Sequence, residues 1–393
     1  MSVRAPVTPT DPTGQPDQFA GRLARAQEGL RAAGAEALLI GIGADLRYLT
    51  GYAAHPLERL TMLVLPRSGR ASLVAPRLEA MAAAASPAGV ARLVEIVAWD
   101  ETDDAHALVA RLLAEARVEA PARLLVDPGL WAMHVLALQR ALPGRDLGLA
   151  TEVTRELRMV KSAVEVEALR RAAHAADRVV AQIAGGRLVG RTEADVSAEV
   201  RERLIAEGHA AAPFAIVASG PNSASPHHEA GPRVIQPGDP IVLDIGGILD
   251  GYGSDTTRTL WVTGGDGAHG PTPEFLAVFD LVRRANAEAT AAVRPGIACG
   301  ELDAVARRII ADGGHGEAFI HRLGHGIGLE GHEEPYLVGG NEEVLRPGFA
   351  FSIEPGIYLA DRFGVRIEDI VVCAETGPDV LNESPRDLQA VTG

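Results

Sequence analysis

Residues 242–260 read VLDIGGILDGYGSDTTRTL, in which two apolar stretches flank Asp250-Gly251. An Asp-Gly pair between apolar runs is a strong signal for a two-residue hairpin turn. A turn at this pair would set Asp244 opposite Thr257, with Asp255 diagonally across on the same face. A turn one residue earlier would pair Asp244 with Asp255 directly. In either register both carboxylates lie on one side of the hairpin, about 5–8 Å apart.

Three more side chains that commonly bind metals follow toward the C-terminus. They are His325, Glu354 and Glu368, within HRLGHGIGL, FSIEPGIY and VRIEDIVV. With the hairpin acids, this makes four carboxylates in otherwise apolar segments, and burying them together is costly unless cations join them. Two divalent ions would balance their charge, so the pattern predicts a two-metal hydrolase site. Oxygen ligands with a single imidazole favour Mn²⁺, Co²⁺ or Zn²⁺ over a thiolate-bound structural zinc.

Length and charge restrict the architecture and the partners of the chain. At 393 residues it exceeds one ordinary core, so two domains are expected. A net charge of −15 argues against nucleic-acid and anionic-membrane partners, which both need a positive surface. The sequence has no apolar run near the ~20 residues that span a bilayer, and its start lacks a secretory h-region. With only two cysteines, Cys299 and Cys373, we expect a cytoplasmic protein.

Hydrophobic periodicity divides the chain into two parts. The first half alternates apolar runs with helical stretches, which predicts an α/β layer. Strands are predicted over 37–42, 60–65, 72–74, 93–97 and 124–126, and helices over 19–33, 104–117 and 130–141. A charged helical region spans 151–207, and beyond residue 212 strands surround two helices. We expect a frayed arm over 1–17, an N-terminal domain over 18–150 and a catalytic domain over 151–393.

The five motifs together resemble the pita-bread metallopeptidases, which include methionine aminopeptidase, aminopeptidase P, prolidase and the metal-free creatinase. The first half is similar to the creatinase/prolidase N-terminal domain through ADLRYLTGY at 44–52 and VTRELRMVKSAVEVEALRRA at 153–172. The resemblance implies an N-terminal α/β domain of that type followed by a pita-bread catalytic domain. Two domains favour the prolidase and aminopeptidase P branch, and the retained ligands speak against creatinase chemistry.

The resemblance also implies how the ligands are shared. One ion would take Asp244, Asp255 and Glu368. The other would take Asp255, His325, Glu354 and Glu368, so that Asp255 and Glu368 bridge the pair. A bridging water would then supply hydroxide near neutral pH, while the ions polarise the scissile carbonyl. Glu354 would carry a proton from that water to the leaving nitrogen.

Three further histidines match family positions. His227, in SGPNSASPHHE, and His332, in GLEGHEEP, resemble residues that hold the substrate carbonyl and stabilise the tetrahedral intermediate. His321 resembles a substrate-contacting histidine of the proline-directed enzymes. The resemblance gives no role to His228.

The arginines near these motifs carry two expectations. Arg366 lies two residues before Glu368 and is expected to orient that carboxylate or a neighbouring acid. Prolidases that read the free carboxylate of the substrate often carry HExPR, whereas this chain has HEEPY, with Tyr336 in the place of the arginine. A bidentate guanidinium clamp is therefore missing there, and strict dipeptide selectivity requires another arginine. Arg322 and Arg362 are the candidates.

These features predict a cytoplasmic, homodimeric, two-metal peptidase that cleaves the bond between an N-terminal residue and proline in Xaa-Pro dipeptides. The compact chain favours this form, while Tyr336 weakens it. Aminopeptidase P activity on longer Xaa-Pro peptides is one alternative. Two-metal hydrolase or lyase chemistry on a small non-peptide substrate is another, because a fold does not fix a function. A catalytically inactive binding protein is the third, and the intact ligands speak against it.

Overall fold

Apolar runs in the first half of the chain pair into one six-stranded sheet. The computed structural model describes residues 16–265 and 268–392. The strands are β1 (Ala37–Ile40), β2 (Met62–Pro66), β3 (Ala71–Pro76), β4 (Val94–Trp99), β5 (Ala122–Val126) and β6 (Arg145–Leu149). Their order is β4-β3-β2-β1-β5-β6, with parallel pairing at β3–β4, β1–β5 and β5–β6. All five predicted strands are present. The sequence missed the edge strand β6, which alternates polar and apolar residues only weakly.

Helices accompany this sheet through the first unit, which ends at Arg158. They are α1 (Pro16–Ala32), α2 (Ala44–Thr50), α3 (Ala80–Ala84), α4 (Pro87–Val90), α5 (Ala105–Glu115), α6 (Ala132–Ala141) and α7 (Thr151–Met159). Leu108 and Leu113 of α5 and Leu138 of α6 are buried in one cluster with Leu39 and Leu124 of the sheet. The predicted arm over 1–17 lies outside the described residues, except that Pro16 and Asp17 begin α1.

The second unit begins at Met159 and contains two main sheets with helices packed on them. Its helices are α8 (Ala163–Ala184), α9 (Glu193–Ala206), α10 (Pro273–Ala292) and α11 (Cys299–Asp312). The first sheet has the strands β7 (Ala211–Ser219), β8 (Pro240–Leu249), β9 (Tyr252–Gly253), β10 (Thr256–Val262) and β18 (Gln389–Val391). Apolar side chains of α8 and α9 share a buried cluster with β7, β8 and β10.

The remaining strands form the second main sheet and a short two-stranded sheet. They are β11 (Gly324–Gly326), β12 (Glu333–Leu337), β13 (Ala350–Ile353), β14 (Gly356–Leu359), β15 (Phe363–Arg366), β16 (Asp369–Ala374) and β17 (Gly377–Val380). The order in the second sheet is β12-β11-β13-β16-β17, and β14 pairs with β15 separately. Phe275 and Val282 of α10 and Leu302 of α11 are buried with Phe349 and Phe351 beside this sheet. No helix of the described residues has the length and apolar character needed to cross a membrane.

The hairpin at Asp250-Gly251 adopts the predicted two-residue register. Asp244 pairs with Thr257 across β8 and β10. Asp250 has φ 52° and Gly251 has φ 87°. Two successive positive φ angles are what a type I′ turn requires, and Asp-Gly supplies them at low cost. The first of the two predicted registers is confirmed.

The stretch VRIEDIVV, residues 365–372, reads as one strand, but the chain changes partners in its middle. β15 ends at Arg366 and pairs with β14, whereas β16 begins at Asp369 and pairs with β13. Glu368 lies in the break, where its N–H donates to the carbonyl of Thr257 at 3.1 Å. The guanidinium of Arg258 fixes the break by donating to the Glu368 carbonyl at 2.6 Å. It also donates to the buried carboxylate of Asp369, likewise at 2.6 Å.

Candidate metal centre

Asp244 lies on β8 and Asp255 lies on the opposite arm of the β8–β10 hairpin, as its register requires. Asp255 comes one residue before β10. The two residues are only 8% and 5% exposed. The paired position, Thr257, sends its hydroxyl toward the same side, where it donates to Oε2 of Glu368 at 2.7 Å. The hairpin thereby brings two carboxylates to one buried face and helps to place a third.

His325 reaches this face from β11, where glycines flank it. A side chain at Gly324 or Gly326 would overlap the backbone of Ser352 or Glu334, so only glycine fits. Nδ1 of His325 lies 3.1 Å from the carbonyl of Gly326. A carbonyl only accepts, so this contact requires a proton on Nδ1, and Nε2 offers its lone pair to a metal whenever the ring is neutral.

Nε2 of His325 points at carboxylates from two other segments. It lies 3.7 Å from Asp255 and 3.3 Å from Oε1 of Glu354. Glu354 follows β13, and its backbone N–H donates to the carbonyl of Leu323 at 2.9 Å. The hydroxyl of Ser352 donates to Oε1 of Glu354 at 3.0 Å, which fixes that side chain further.

The predicted ligands form overlapping groups whose donor atoms lie close together. Within each group the ligand atoms are within 4.8 Å of one another. The groups are Asp244 with Asp255 and Glu368, His325 with Glu354 and Glu368, and Asp255 with His325 and His332. Asp255, His325 and Glu368 each belong to two groups. The sequence did not indicate that a nitrogen of His332 would come this close.

The electrostatics of these residues fit divalent cations. Burial and then the neighbouring carboxylates raise the pKa values of Asp255 and Glu368 well above the usual range. Oδ1 of Asp244 is buried and has no hydrogen-bond partner among the described residues. Buried carboxylates that repel one another, with an unused oxygen facing them, are stabilised when metal ions occupy the space between them.

Arg366 holds the carboxylates of the centre in position by binding Asp244 directly, and it does not bind Glu368 directly. Its Nη2 donates to Oδ2 of Asp244 at 2.5 Å. Its Nε donates to the hydroxyl of Thr257 at 3.1 Å, and it reaches Glu368 only through that hydroxyl. Nη1 donates to the hydroxyl of Tyr358 at 2.7 Å. Tyr358 has no metal-type side chain and was not predicted as part of the site.

His332 is held close to His325 in a neutral form. The centroids of the two rings are 3.7 Å apart. Burial and then the charges of His325 and Arg322 lower the pKa of His332 to about 4. Nη2 of Arg322 lies 3.3 Å from Nδ1 of His332. A guanidinium only donates, so Nδ1 accepts and the ring proton resides on Nε2.

His321 has both of its ring nitrogens occupied. Nδ1 lies 2.8 Å from the carbonyl of Arg322, to which it must donate. Nε2 then accepts from the hydroxyl of Tyr358 at 2.9 Å. His321 therefore offers the face of its ring to the surroundings. His228 lies apart, with Nε2 2.8 Å from the buried carboxylate of Glu193, which is a structural contact.

All of the predicted site residues line one open cavity of about 560 Å³. They are Asp244, Asp255, His325, Glu354, Glu368, His227, His321, His332 and Arg366. The cavity also has apolar walls from Phe214, Ile216 and Pro226, together with Arg322. Sequence reasoning missed Phe214 and Ile216, because alternate apolar residues on a strand such as β7 look the same whether they face a core or a cavity.

A buried group of carboxylates with one imidazole, at the wall of an open cavity, defines the chain as a metal-dependent hydrolase. The chain belongs to metallopeptidase family M24, whose family profile matches residues 167–375. Residues 22–160 match the creatinase/prolidase N-terminal domain. The predicted fold, an α/β N-terminal domain followed by a pita-bread catalytic domain, is confirmed. Membership of the family implies the use of divalent metal.

Relatives with names and structures cover nearly the whole chain. The probable dipeptidase PepE of Mycobacterium tuberculosis (strain ATCC 25618 / H37Rv) is 45% identical over 374 residues, which are 95% of this chain and 96% of the relative. The Xaa-Pro dipeptidase of Lactobacillus delbrueckii subsp. lactis is 32% identical over 374 residues, 94% of this chain and 98% of the relative. The crystal structure of dipeptidase PepE from Mycobacterium ulcerans superposes with a TM-score of 0.89. Its sequence identity is 47%, over 96% of this chain and 99% of that one.

Proposed function

We propose that the chain is a two-metal Xaa-Pro dipeptidase of the prolidase type. The observation that carries this proposal is that five metal-type side chains and three neighbouring histidines line the same cavity. The relative named as an Xaa-Pro dipeptidase, which matches over nearly its full length, supports the choice of substrate. A cytoplasmic location and a homodimer remain predictions, tested by cell fractionation and by light scattering on the purified protein.

Two ions of Mn²⁺, Co²⁺ or Zn²⁺ would be held by Asp244, Asp255, His325, Glu354 and Glu368. Asp255, His325 and Glu368 each belong to two donor groups. Of these three, the two carboxylates have two oxygens each and could therefore bind both ions, whereas the imidazole offers only Nε2, which supports Asp255 and Glu368 as the shared ligands. When bound, the ions supply an acidified water as nucleophile and polarise the scissile carbonyl. Arg366 and Thr257 keep Asp244 and Glu368 in position through hydrogen bonds.

Glu354 is the proton carrier in this proposal. Burial opposes its ionisation, but the hydrogen bond and charge of His325 outweigh burial and lower its pKa to about 2. In the loaded centre Glu354 would be ionised as a metal ligand, and a carboxylate oxygen would accept the proton of the attacking water. It then delivers that proton to the leaving nitrogen, which needs it when the peptide bond breaks.

The histidines act on the substrate. Neutral His332 carries its proton on Nε2 and donates it as a hydrogen bond to the oxygen on which negative charge develops. His227 lines the same cavity and holds the substrate carbonyl. His321 has no free nitrogen, so it contacts the substrate through its ring face, together with the apolar walls.

Aminopeptidase P activity is a second candidate, because Tyr336 replaces the arginine that often reads the free carboxylate of a dipeptide. Comparing Ala-Pro with Ala-Pro-Ala decides between the two. Metal-depleted protein is reconstituted separately with Mn²⁺, Co²⁺ and Zn²⁺, and release of the N-terminal alanine is measured. We expect a higher kcat/KM on Ala-Pro than on Ala-Pro-Ala, and no cleavage of the control dipeptide Ala-Ala. Preference for the tripeptide would establish the second candidate, and no cleavage of either would reject both.

A further inference from the structure

One cation on the cavity wall has no acidic partner. Arg322 precedes β11, is half-buried and lines the cavity that holds the predicted ligands. Among residues 16–265 and 268–392 its guanidinium makes no ion pair with a carboxylate. Its one polar contact there is the 3.3 Å approach of Nη2 to His332. An arginine has five N–H donors, so most of this group is available to a ligand.

The guanidinium is held in place by an aromatic ring. Its central carbon lies 4.2 Å from the centroid of the Tyr336 ring, which is a cation–π contact. Tyr336 pairs directly with His325 across β11 and β12. The residue in the expected arginine position therefore supports an arginine from the neighbouring segment. Stacking already restricts the side chain, so less conformational entropy is lost when the guanidinium binds an anion.

The other arginines near the site are already paired. Arg366 is buried and its Nη2 is bound to Asp244 at 2.5 Å. Arg362, the second candidate from the sequence, forms an ion pair with Glu274 and is not among the residues that line the cavity. Of these three arginines, Arg322 is therefore the one whose guanidinium can bind the carboxylate of a substrate in this cavity.

We propose that Arg322, stacked on Tyr336, binds the C-terminal carboxylate of the dipeptide substrate. This inference rests on the proposed function and specifies which residue makes the enzyme a dipeptidase. A planar guanidinium matches a carboxylate through two parallel hydrogen bonds, which an amide or a continuing peptide cannot provide. The free carboxylate is then recognised from the segment before β11, instead of from β12.

The test crosses two arginine variants with two substrates. Ala-Pro and Ala-Pro-amide differ only in the terminal charge, and kcat and KM are measured for the metal-loaded wild type, Arg322→Gln and Arg362→Gln. We expect Arg322→Gln to raise KM for Ala-Pro by about 10- to 100-fold, the range for a hydrogen-bonded charged group. Its KM for the amide stays nearly unchanged. Arg362→Gln is the matched control and behaves as the wild type on both substrates.

The possible results distinguish a failure of this inference from a failure of the proposed function. Wild-type protein that cleaves neither substrate nor any other Xaa-Pro peptide rejects the proposed function. Cleavage with equal KM for acid and amide, or an equal loss on both in Arg322→Gln, overturns the inference and leaves the function standing. A fall in kcat on both substrates would assign Arg322 to positioning His332 instead, which also overturns it. Arg322→Lys covers a folding failure of the glutamine variant: it keeps the charge without the two-toothed geometry, and we expect an intermediate KM for Ala-Pro.

Discussion

Thr257 lies directly opposite Asp244 across the β8–β10 hairpin, and its hydroxyl donates to Glu368 at 2.7 Å. The same hydroxyl accepts from Nε of Arg366 at 3.1 Å, and that guanidinium also binds Asp244. One threonine thus connects Glu368, in the break between β15 and β16, with Asp244 on β8, which it reaches through Arg366. Its position follows from the two-residue turn, because a register one residue shorter would bring Asp255 opposite Asp244.

Thr257→Val should weaken metal binding without removing a ligand. The valine keeps the shape of the side chain but leaves Glu368 without its hydroxyl donor, and loss of such a support lowers metal affinity by about 10- to 100-fold. Competition with a chelator of known affinity measures the change. Thr257→Ser, which keeps the hydroxyl, is the matched control and should bind metal as the wild type does. Equal affinities for Val and Ser variants would contradict this role.

Asp255→Asn should abolish metal loading and yet leave a folded chain. Asp255 is a shared ligand in the proposed centre, and an amide cannot bridge two ions as a carboxylate does. In the metal-free protein the change removes one of several buried charges that repel each other. We therefore expect no added thermal stability from Mn²⁺ in this variant, while its metal-free melting temperature is no lower than that of the wild type. Elemental analysis and calorimetry with and without Mn²⁺ measure both effects, and a full metal content in the variant would refute the assignment.

His332→Ala should depress turnover and keep the metal content. Removal of one hydrogen-bond donor to a developing oxyanion costs roughly 10²–10³-fold in kcat. His174→Ala provides a control, because His174 is on α8, lies 3.6 Å from Glu383 and is not among the residues that line the cavity. Steady-state kinetics are paired with elemental analysis of the same preparations. Wild-type turnover would remove His332 from the mechanism, and loss of metal would make it a ligand instead.

Metal loading should release protons, and metal affinity should rise with pH. In the metal-free chain, burial and neighbouring carboxylates raise the pKa values of Asp255 and Glu368. Burial opposes protonation of His325, but the contacts with Glu354 and Asp255 raise its pKa overall. All three groups bind metal only after losing these protons. As pH falls, more of them are protonated, so affinity is lost in the acid direction.

Calorimetric titration of Mn²⁺ into metal-free protein in two buffers with different ionisation enthalpies measures the number of protons released. A release that grows as pH is lowered from 8 to 6 is the expected result. Heats that do not depend on the buffer would show that the carboxylates are already ionised without metal.

The features that sequence reasoning predicted well are those set by local rules. Asp250-Gly251 fixes a turn type, the turn fixes the register, and the register places Asp244, Asp255 and Thr257. The break at Ile367 and Glu368 escaped prediction, because VRIEDIVV satisfies the alternation of a single strand. What divides it is the side chain of Arg258, distant in the sequence, which binds the Glu368 carbonyl and the Asp369 carboxylate.

The partners of the arginines were equally beyond local rules. The spacing of two residues left open whether Arg366 would orient Glu368 or a neighbouring acid, and the structure joins it to Asp244 on another strand. In the sequence, nothing distinguishes Arg322 from Arg362, because both are arginines close to the ligand motifs. Only the stack of Arg322 on Tyr336 and the ion pair of Arg362 with Glu274 separate them.

The donors of the proposed centre come from distant parts of the chain, with Asp244 on the first main sheet of the second unit and His325 on the other. Bound ions would therefore act as a cross-link that only the folded chain can form, and a ligand that binds the native state alone slows global and local opening. We expect starvation for metal to shorten the lifetime of the protein in the presence of proteases, so that supply of the ion sets how long the chain survives as well as how fast it works.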